Sequence, residues 1–393
     1  MMPGSVVYLD NNATTALAPE ALDAMLPYLS GLYANPSSAY GPAATAKKGV
    51  AEARAAVAAL LGCSPAEIVF TSGATESNHA AILGALSAAS GKRHLITSQV
   101  EHPSVLLMCR HLERLGMEVS YLPVDSEGRL DLATLPSAIR PDTALISLLW
   151  ANNETGAIFP IPEAAAIARS RGVLFHTDAT QAMGKIPMDL RQVPVDLLSC
   201  SAHKIHGPKG VGALYVRKGL TLPPLFHGHQ ERGRRGGTEN VPAIVGFGVA
   251  ARLHDELERE MRRLAALRDR LERGILAFMP CAQVHAQDTP RLPNTSNIGF
   301  ATLDGEELLH RLEQAGVLAS AGAACAAGGH EPSHVLTAMG LSKTSVLASL
   351  RFSLGRYSRA EDVDHLLRVL PSILLKLMDV PEIIARETLS CAH

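Results

Sequence analysis

In Val195-Asp196-Leu197-Leu198-Ser199-Cys200-Ser201-Ala202-His203-Lys204, a short apolar run gives way to small and polar residues, then to a histidine and a lysine. The run reads as a buried strand, and Gly207-Pro208-Lys209-Gly210 turns the chain away from it. A lysine at the mouth of a buried strand is poorly solvated. Desolvation disfavours its ammonium form, and the free amine can then attack an aldehyde. Lys204 is therefore a candidate Schiff-base lysine for pyridoxal phosphate. The competing reading is a lysine that points into water.

Four more strand ends carry residues that suit the same group. In open α/β sheets, ligands bind outside the carboxyl ends of the strands. Those places hold Thr71 to Glu76, Glu101-His102, Asn152-Asn153-Glu154 and Asp178 to Gln181. Thr75 falls at a predicted helix N-terminus, where free N–H groups and the dipole attract a phosphate, or where it is a plain cap. Asp178 can keep a pyridine nitrogen protonated, so that the ring accepts electrons from a substrate Cα; its competing role is an N-cap. Gln181 can hydrogen-bond the ring hydroxyl. His102 can stack on the ring or transfer protons, or be structural. Ser201 and His203 add phosphate contacts from the lysine loop.

Two residues further along suit a substrate. Cys325 lies within Ala319 to Gly329, a run of small residues with three glycines. That composition predicts a mobile loop whose thiol can reach a substrate, whereas a helix would make the cysteine an inert small hydrophobe. Arg351, in Leu350-Arg351-Phe352-Ser353-Leu354, is a charge inside an apolar strand. It suits a substrate carboxylate bidentately, or a structural salt bridge equally well. Arg232-Gly233-Arg234-Arg235-Gly236-Gly237-Thr238 has no interleaved aromatics, so an anion-binding loop beside the phosphate is preferred over a nucleic-acid patch.

The elements that must position these residues alternate. Val6 to Leu9 is a strand, followed by helices over Pro19 to Ser30 and Ala43 to Leu61. Ile68 to Phe70 is a strand, and a helix runs from the Thr71–Glu76 segment to about Ser90. Strands at His94–Ser98, Ala144–Trp150, Val173–Thr177 and Val195–Ser201 alternate with helices at Pro103–Leu115 and Pro162–Arg171. This spacing implies β-α-β units and a mostly parallel sheet covered on both faces. From Val241 the pattern changes. Val249, Leu253, Leu257, Met261, Leu264, Leu267, Leu271 and Ile275 predict one long amphipathic helix, or two end to end, leading into a second domain. Elements then follow at Asn297–Phe300, Glu306–Ala315 and Leu350–Leu354, with a last helix from Ala360.

The 393 residues suffice for a large and a small domain, and a formal net charge of −2 gives no pull toward nucleic acid or anionic membrane. No apolar run approaches a membrane span, and no Lys or Arg precedes Lys47, which argues against a signal or transit peptide. The six cysteines are scattered without a C-x-x-C pair, the pattern of reduced thiols in a cytosol rather than a disulfide framework or zinc site. Neither a Rossmann glycine fingerprint nor a P-loop is present.

Ten segments in order resemble the cysteine desulfurases of the NifS/IscS type. They are Tyr8-Leu9-Asp10-Asn11-Asn12-Ala13-Thr14-Thr15, Phe70 to Asn78, Val100-Glu101-His102-Pro103, Asn152 to Gly156, His176 to Gln181, Ser201-Ala202-His203-Lys204, Gln230 to Gly233, Gly237 to Asn240, Glu331 to Leu336 and Arg351 to Arg356. The resemblance implies a fold-type I pyridoxal phosphate enzyme, α/β, with a mostly parallel seven-stranded sheet flanked by helices. The large domain would span 16–258 and the smaller α+β domain 1–15 with 259–393. Lys204 would be the Schiff-base lysine, and Ala74, Thr75, Asn153, Asp178, Gln181, Ser201 and His203 would hold the cofactor. Thr238 would reach the phosphate of the other subunit of a homodimer. His102 would stack on the ring and move protons. Arg351, with Asn153, would take the carboxylate of L-cysteine. Cys325 would accept the sulfur as a persulfide and leave L-alanine. The sulfur would pass to an iron–sulfur scaffold protein or another acceptor, in the cytoplasm, with Cys325 a candidate transient cluster ligand and no other metal site. A selenocysteine lyase or another pyridoxal phosphate C–S lyase is the alternative, and a catalytically silent sulfur-relay protein a third reading. Ala321, Ala323 and Ala326 stand where relatives carry hydroxyl residues around the nucleophile. The tail after about Lys376 resembles nothing in the family.

Overall fold

The computed structural model describes residues 6–300, 303–321 and 332–378. Strand β1 (Val7–Tyr8) precedes the helices Pro19–Ser30 and Gly41–Leu61. Strands β2 (Ile68–Thr71), β3 (His94–Ser98), β4 (Glu118–Leu122), β5 (Thr143–Leu149), β6 (Leu174–Asp178), β7 (Leu197–Ser201) and β8 (Gly212–Val216) then build a seven-stranded sheet in the order β2-β8-β7-β6-β5-β3-β4. Only β8 runs against its neighbours.

A sheet of this kind is buried on both faces, so its strands read as continuous apolar runs. All seven residues of β5, Thr-Ala-Leu-Ile-Ser-Leu-Leu, are buried. Successive side chains still alternate between faces. Ile68 and Phe70 pack with the helices Gly41–Leu61, Ile161–Ser170 and Val241–Arg252, while Val69 packs with Ala74–Ala88 and Pro103–Arg114. Leu197 and Leu198 divide in the same way. Two strands of this sheet lie outside the sequence-predicted set. The edge strand β4 is half exposed and mixes polar with apolar residues. β8 opens on a glycine directly after the lysine loop. A Cβ on Gly212 would stand 2.5 Å from the Cys200 carbonyl oxygen and 2.8 Å from Gly73, so only glycine fits there.

The remaining strands are β9 (Gln283–His285), β10 (Thr295–Gly299), β11 (Val317–Leu318), β12 (Ser320–Ala321) and β13 (Ser349–Ser353). A four-stranded antiparallel sheet has the order β12-β13-β10-β9, and β1 pairs in parallel with β11. These pack with the helices Leu257–Phe278, Gly305–Gln314 and Ala360–Leu377 around Leu9, Leu271, Ile275, Phe300, Leu350, Phe352, Leu366 and Leu370. The amphipathic run after Val241 is two helices, Val241–Arg252 and Leu257–Phe278, not one. Among the described residues, no helix is long and apolar enough to cross a membrane.

Candidate active site

The strands β2, β3, β5, β6 and β7 all run in one direction, so their carboxyl ends meet along one edge of the sheet. A cavity of about 580 Å³ opens there. Ala74, Thr75, His102, Asn153, Asp178, Gln181, Ser201, His203, Lys204 and Arg351 all line it, as do Asn12, Thr180 and Lys209. A slightly larger groove of about 650 Å³ lies elsewhere, beside Pro187, Arg252 and Glu258, and contains none of these residues.

Lys204 closes the 3-10 turn that follows β7. Its Nζ donates to the backbone oxygens of Asn12 (2.6 Å) and Ala13 (2.7 Å), which come from the segment after β1. Asp178 ends β6 and is buried. Its Oδ2 accepts from Asn78 Nδ2 at 2.8 Å and its Oδ1 from the Thr180 backbone N–H at 3.0 Å, which fixes the plane of the carboxylate.

The helix Ala74–Ala88 begins at the cavity wall behind Gly73, which supplies no side-chain cap. The first backbone amides of this helix therefore keep their hydrogen-bonding capacity at the cavity. Ser201, His203 and Lys209 stand at the same cavity. Burial, aided by the Lys204, Lys209 and Lys185 cations, pulls the His203 pKa down to about 4. His203 is thus a neutral donor at pH 7.

His102 caps the helix Pro103–Arg114 through its own ring: Nδ1 accepts from the Ser104 backbone N–H at 3.1 Å. Burial lowers its pKa, and the Lys204 and His334 charges add to that. A neutral ring whose Nδ1 is an acceptor carries its proton on Nε2.

Arg351 is buried in β13 and forms the structural salt bridge that was one of its two predicted roles. Its Nη2 donates to Asp10 Oδ1 at 2.7 Å and its Nη1 to the Asn153 carbonyl at 3.0 Å. Among the described residues its Nε is buried without a partner, and so is Thr180 Oγ1. These orphaned polar atoms, the uncapped helix N-terminus, the Asp178 carboxylate and the Lys204 amine match the donors and acceptors of pyridoxal phosphate bound with an amino-acid carboxylate.

Thr238 lies apart from this cavity. It lines a second one of about 200 Å³ with Arg235, Glu239 and Asn240. The arginine loop is not a free anion site: Arg235 pairs with Glu76 at 3.0 Å, and Arg234 donates to the Ala66 carbonyl. Cys325, Ala323 and Ala326 lie outside the described residues, as does the tail from 379. Among the described residues, no three His, Cys, Asp or Glu side chains gather as a metal site.

Two participants had no signal in the single residues. Asn12 and Lys185 are buried polar groups joined to each other across 173 residues. Glu154 accepts from Ser333 Oγ at 2.5 Å, and His334 Nε2 donates to the Glu101 carbonyl at 2.9 Å. These contacts tie the segment just after the Cys325 stretch to the ends of β3 and β5. The Asn11-Asn12 doublet after a strand was the available clue to the first.

This fold and site define a class, and the chain belongs to it: residues 7–366 match the aminotransferase class-V family. Membership implies the use of pyridoxal phosphate. A cysteine desulfurase from Nostoc sp. (strain PCC 7120 / SAG 25.82 / UTEX 2576) is 51% identical over 375 residues, covering 95% of this chain and 94% of the relative. Among solved structures, a NifS-like protein superposes with a TM-score of 0.88 at 39% identity, over 95% of this chain and all of that one. SspA in complex with cysteine superposes at 0.77 and 38% identity, covering 90% of this chain and 99% of that one.

Proposed function

We propose that the protein is a pyridoxal phosphate-dependent cysteine desulfurase that converts L-cysteine to L-alanine and passes the sulfur on through Cys325. One observation carries the reading: five parallel strand ends bring Lys204, Asp178, His102, Asn153 and an uncapped helix N-terminus to one cavity.

Lys204 would hold the cofactor's aldehyde carbon. Ala74, Thr75, Ser201 and His203 would hold its phosphate, Gln181 its ring hydroxyl, and Asp178 its ring nitrogen. Pyridoxal phosphate, when bound, supplies an electron-accepting ring that labilises bonds at the substrate Cα and Cβ. His102 would cover the ring, with its proton at Nε2. The buried guanidinium of Arg351 takes the substrate carboxylate, with Asn153 beside it. The Cys325 thiolate would then attack the substrate sulfur: the S–S bond forms as the substrate Cβ–S bond breaks. The electron pair of that bond stays on the carbon skeleton, which takes up a proton to leave as L-alanine, and the sulfur remains on Cys325 as a persulfide.

The sulfur goes to an iron–sulfur scaffold or another thiol acceptor. A transient cluster at Cys325 fits the same chemistry. The four described cysteines are free thiols, which supports a reducing cytoplasmic setting. Leu22, Leu26 and Leu29 are exposed on the first helix, with Tyr33 and Tyr40 exposed nearby, and this supports a homodimer in which Thr238 serves the partner's phosphate. The division into 16–258 and 1–15 with 259–393 is supported by the two separate sheets.

The test uses the full-length protein. Wild type shows a visible absorption band that Lys204→Ala lacks, and L-cysteine yields alanine and a persulfide on Cys325. Cys325→Ala keeps the band and loses the persulfide. Unchanged alanine and sulfide production by that variant would assign a selenocysteine lyase or other C–S lyase instead. A wild type without the band would be a sulfur-relay protein.

A further inference from the structure

Lys185 is a buried lysine that the reaction above does not use. It is 7% exposed and has no carboxylate partner among the described residues. Its Nζ donates to Gln181 Oε1 at 2.6 Å and to Asn12 Oδ1 at 2.9 Å. Burial, with the Lys204 and Arg351 cations, draws its pKa well below the usual lysine range. A buried amine held by two amide oxygens is costly unless those bonds are needed.

The turn after β6 brings it there. Gly184 has φ +70, and a Cβ on it would stand 2.8 Å from Ile205 Cγ2. The chain can therefore double back so that Lys185 reaches Gln181, four residues earlier. Gln181 Nε2 donates to the Asn12 carbonyl at 2.9 Å, the same oxygen that accepts from Lys204. An amide has one acceptor end and one donor end. Lys185 donates to the acceptor end and the Asn12 carbonyl takes the donor end. A flipped amide would set its oxygen against the Asn12 carbonyl, which can only accept, and would lose the bond from Lys185 Nζ to Oε1. Nε2 also carries a second hydrogen that Asn12 does not use.

We propose that Lys185 is a positioning residue that locks the Gln181 amide with its N–H2 end toward the cavity, so that Gln181 donates to the ring hydroxyl oxygen of the bound cofactor. This rests on the pyridoxal phosphate reading. The lock also explains why Asn12 accepts from both lysines: one side chain and its own carbonyl register Lys204, Gln181 and Lys185 together.

The experiment is equilibrium dialysis of the full-length chain against pyridoxal 5′-phosphate, with the bound fraction read from visible absorption. Lys185→Met and Gln181→Ala should each weaken binding about tenfold or more, and the double variant should bind no worse than Gln181→Ala alone. A merely structural Lys185 would weaken binding again in the Gln181→Ala background, and that additivity overturns the assignment. Gln181→Glu guards against a misfolded Lys185→Met. It gives Lys185 a carboxylate partner but presents only acceptors to the cavity, so binding should again fall about tenfold or more. Binding equal to wild type overturns the proposed amide polarity. Wild-type protein that takes up no pyridoxal phosphate overturns the functional reading, and this assignment with it.

Discussion

Glu101 offers a sharp test of the electrostatics beneath the site. Its carboxyl is fully buried next to His102. Oε1 accepts from Ser98 Oγ at 2.6 Å and from the Leu149 N–H at 3.0 Å, while Oε2 has no partner among the described residues. Burial, reinforced by the nearby Asp178 carboxylate, pushes its pKa up to about 8, against the two hydrogen bonds that lower it. An unfolded glutamate ionises near ~4.3. The folded state therefore holds a proton that the unfolded state releases. The stability linked to Glu101 is fully present below about pH 4.3 and is lost as pH rises toward 8, by roughly 1.4 kcal/mol per pH unit inside that window. Glu101→Gln removes this titration while keeping an oxygen for Ser98 and Leu149. The variant carries its own cost, about 1–3 kcal/mol for an amide N–H2 placed where Oε2 stands unpartnered. That cost is independent of pH, so the slope isolates the effect. Between pH 5.5 and 7.5 the stability of Glu101→Gln relative to wild type should improve by roughly 2.5 kcal/mol. The assay is the urea midpoint of both proteins at the two pH values, with the slope of each transition held as a check. A difference between variant and wild type that stays constant across the window means that Glu101 is already ionised in the fold, and the burial argument fails.

Further substitutions probe the remaining parts of the site. Arg351→Lys loses the planar fork and should raise KM for L-cysteine about ten- to a hundredfold with a smaller change in kcat, read from steady-state alanine formation. Asn78→Ala releases the Oδ2 side of Asp178 and should cost kcat about tenfold, while the protein still shows the visible band. Gly184→Ala forces a side chain into a left-handed turn against Ile205 and should destabilise by about 1–3 kcal/mol, seen as a lower melting temperature. The same change should weaken cofactor retention, because the turn also carries Gln181 and Lys185.

How much of this was legible depended on the range of each interaction. Strand β3 matches its sequence-read bounds, and β5, β6 and β7 fall within two residues, because each is a run of apolar residues between turn signals. A parallel sheet puts all carboxyl ends on one edge, so residues picked only for following a strand had to converge. Lys204, Asp178 and His102 were found in this way. The half-exposed β4 escaped because an edge strand lacks the continuous apolar run. β8 escaped because the glycine that lets it pass beneath Gly73 reads as part of the preceding turn. The arginine loop misled because the charge that neutralises Arg235, Glu76, lies 159 residues earlier in the chain.

The second layer of the site was unreadable for a related reason. Asn12 contacts Lys204, Gln181, Lys185, Asn294 and Ser353, across separations of up to 341 residues. None of its partners is marked by local periodicity. Yet this layer determines what the readable residues can do. A lysine after a strand is common; one whose Nζ rests on two carbonyls from the segment after the chain's first strand, with Lys185 bonded to the same Asn12, is held at a defined place in the cavity. The segment after β1 pairs with β13 through the Asp10 bridge and the Asn12–Ser353 bond, and β13 carries Arg351. The Arg351 guanidinium and the Lys204 amine are thus held by one short segment. A substitution at Asn12 should therefore disturb cofactor and substrate binding together, whereas one at Arg351 should disturb substrate binding first.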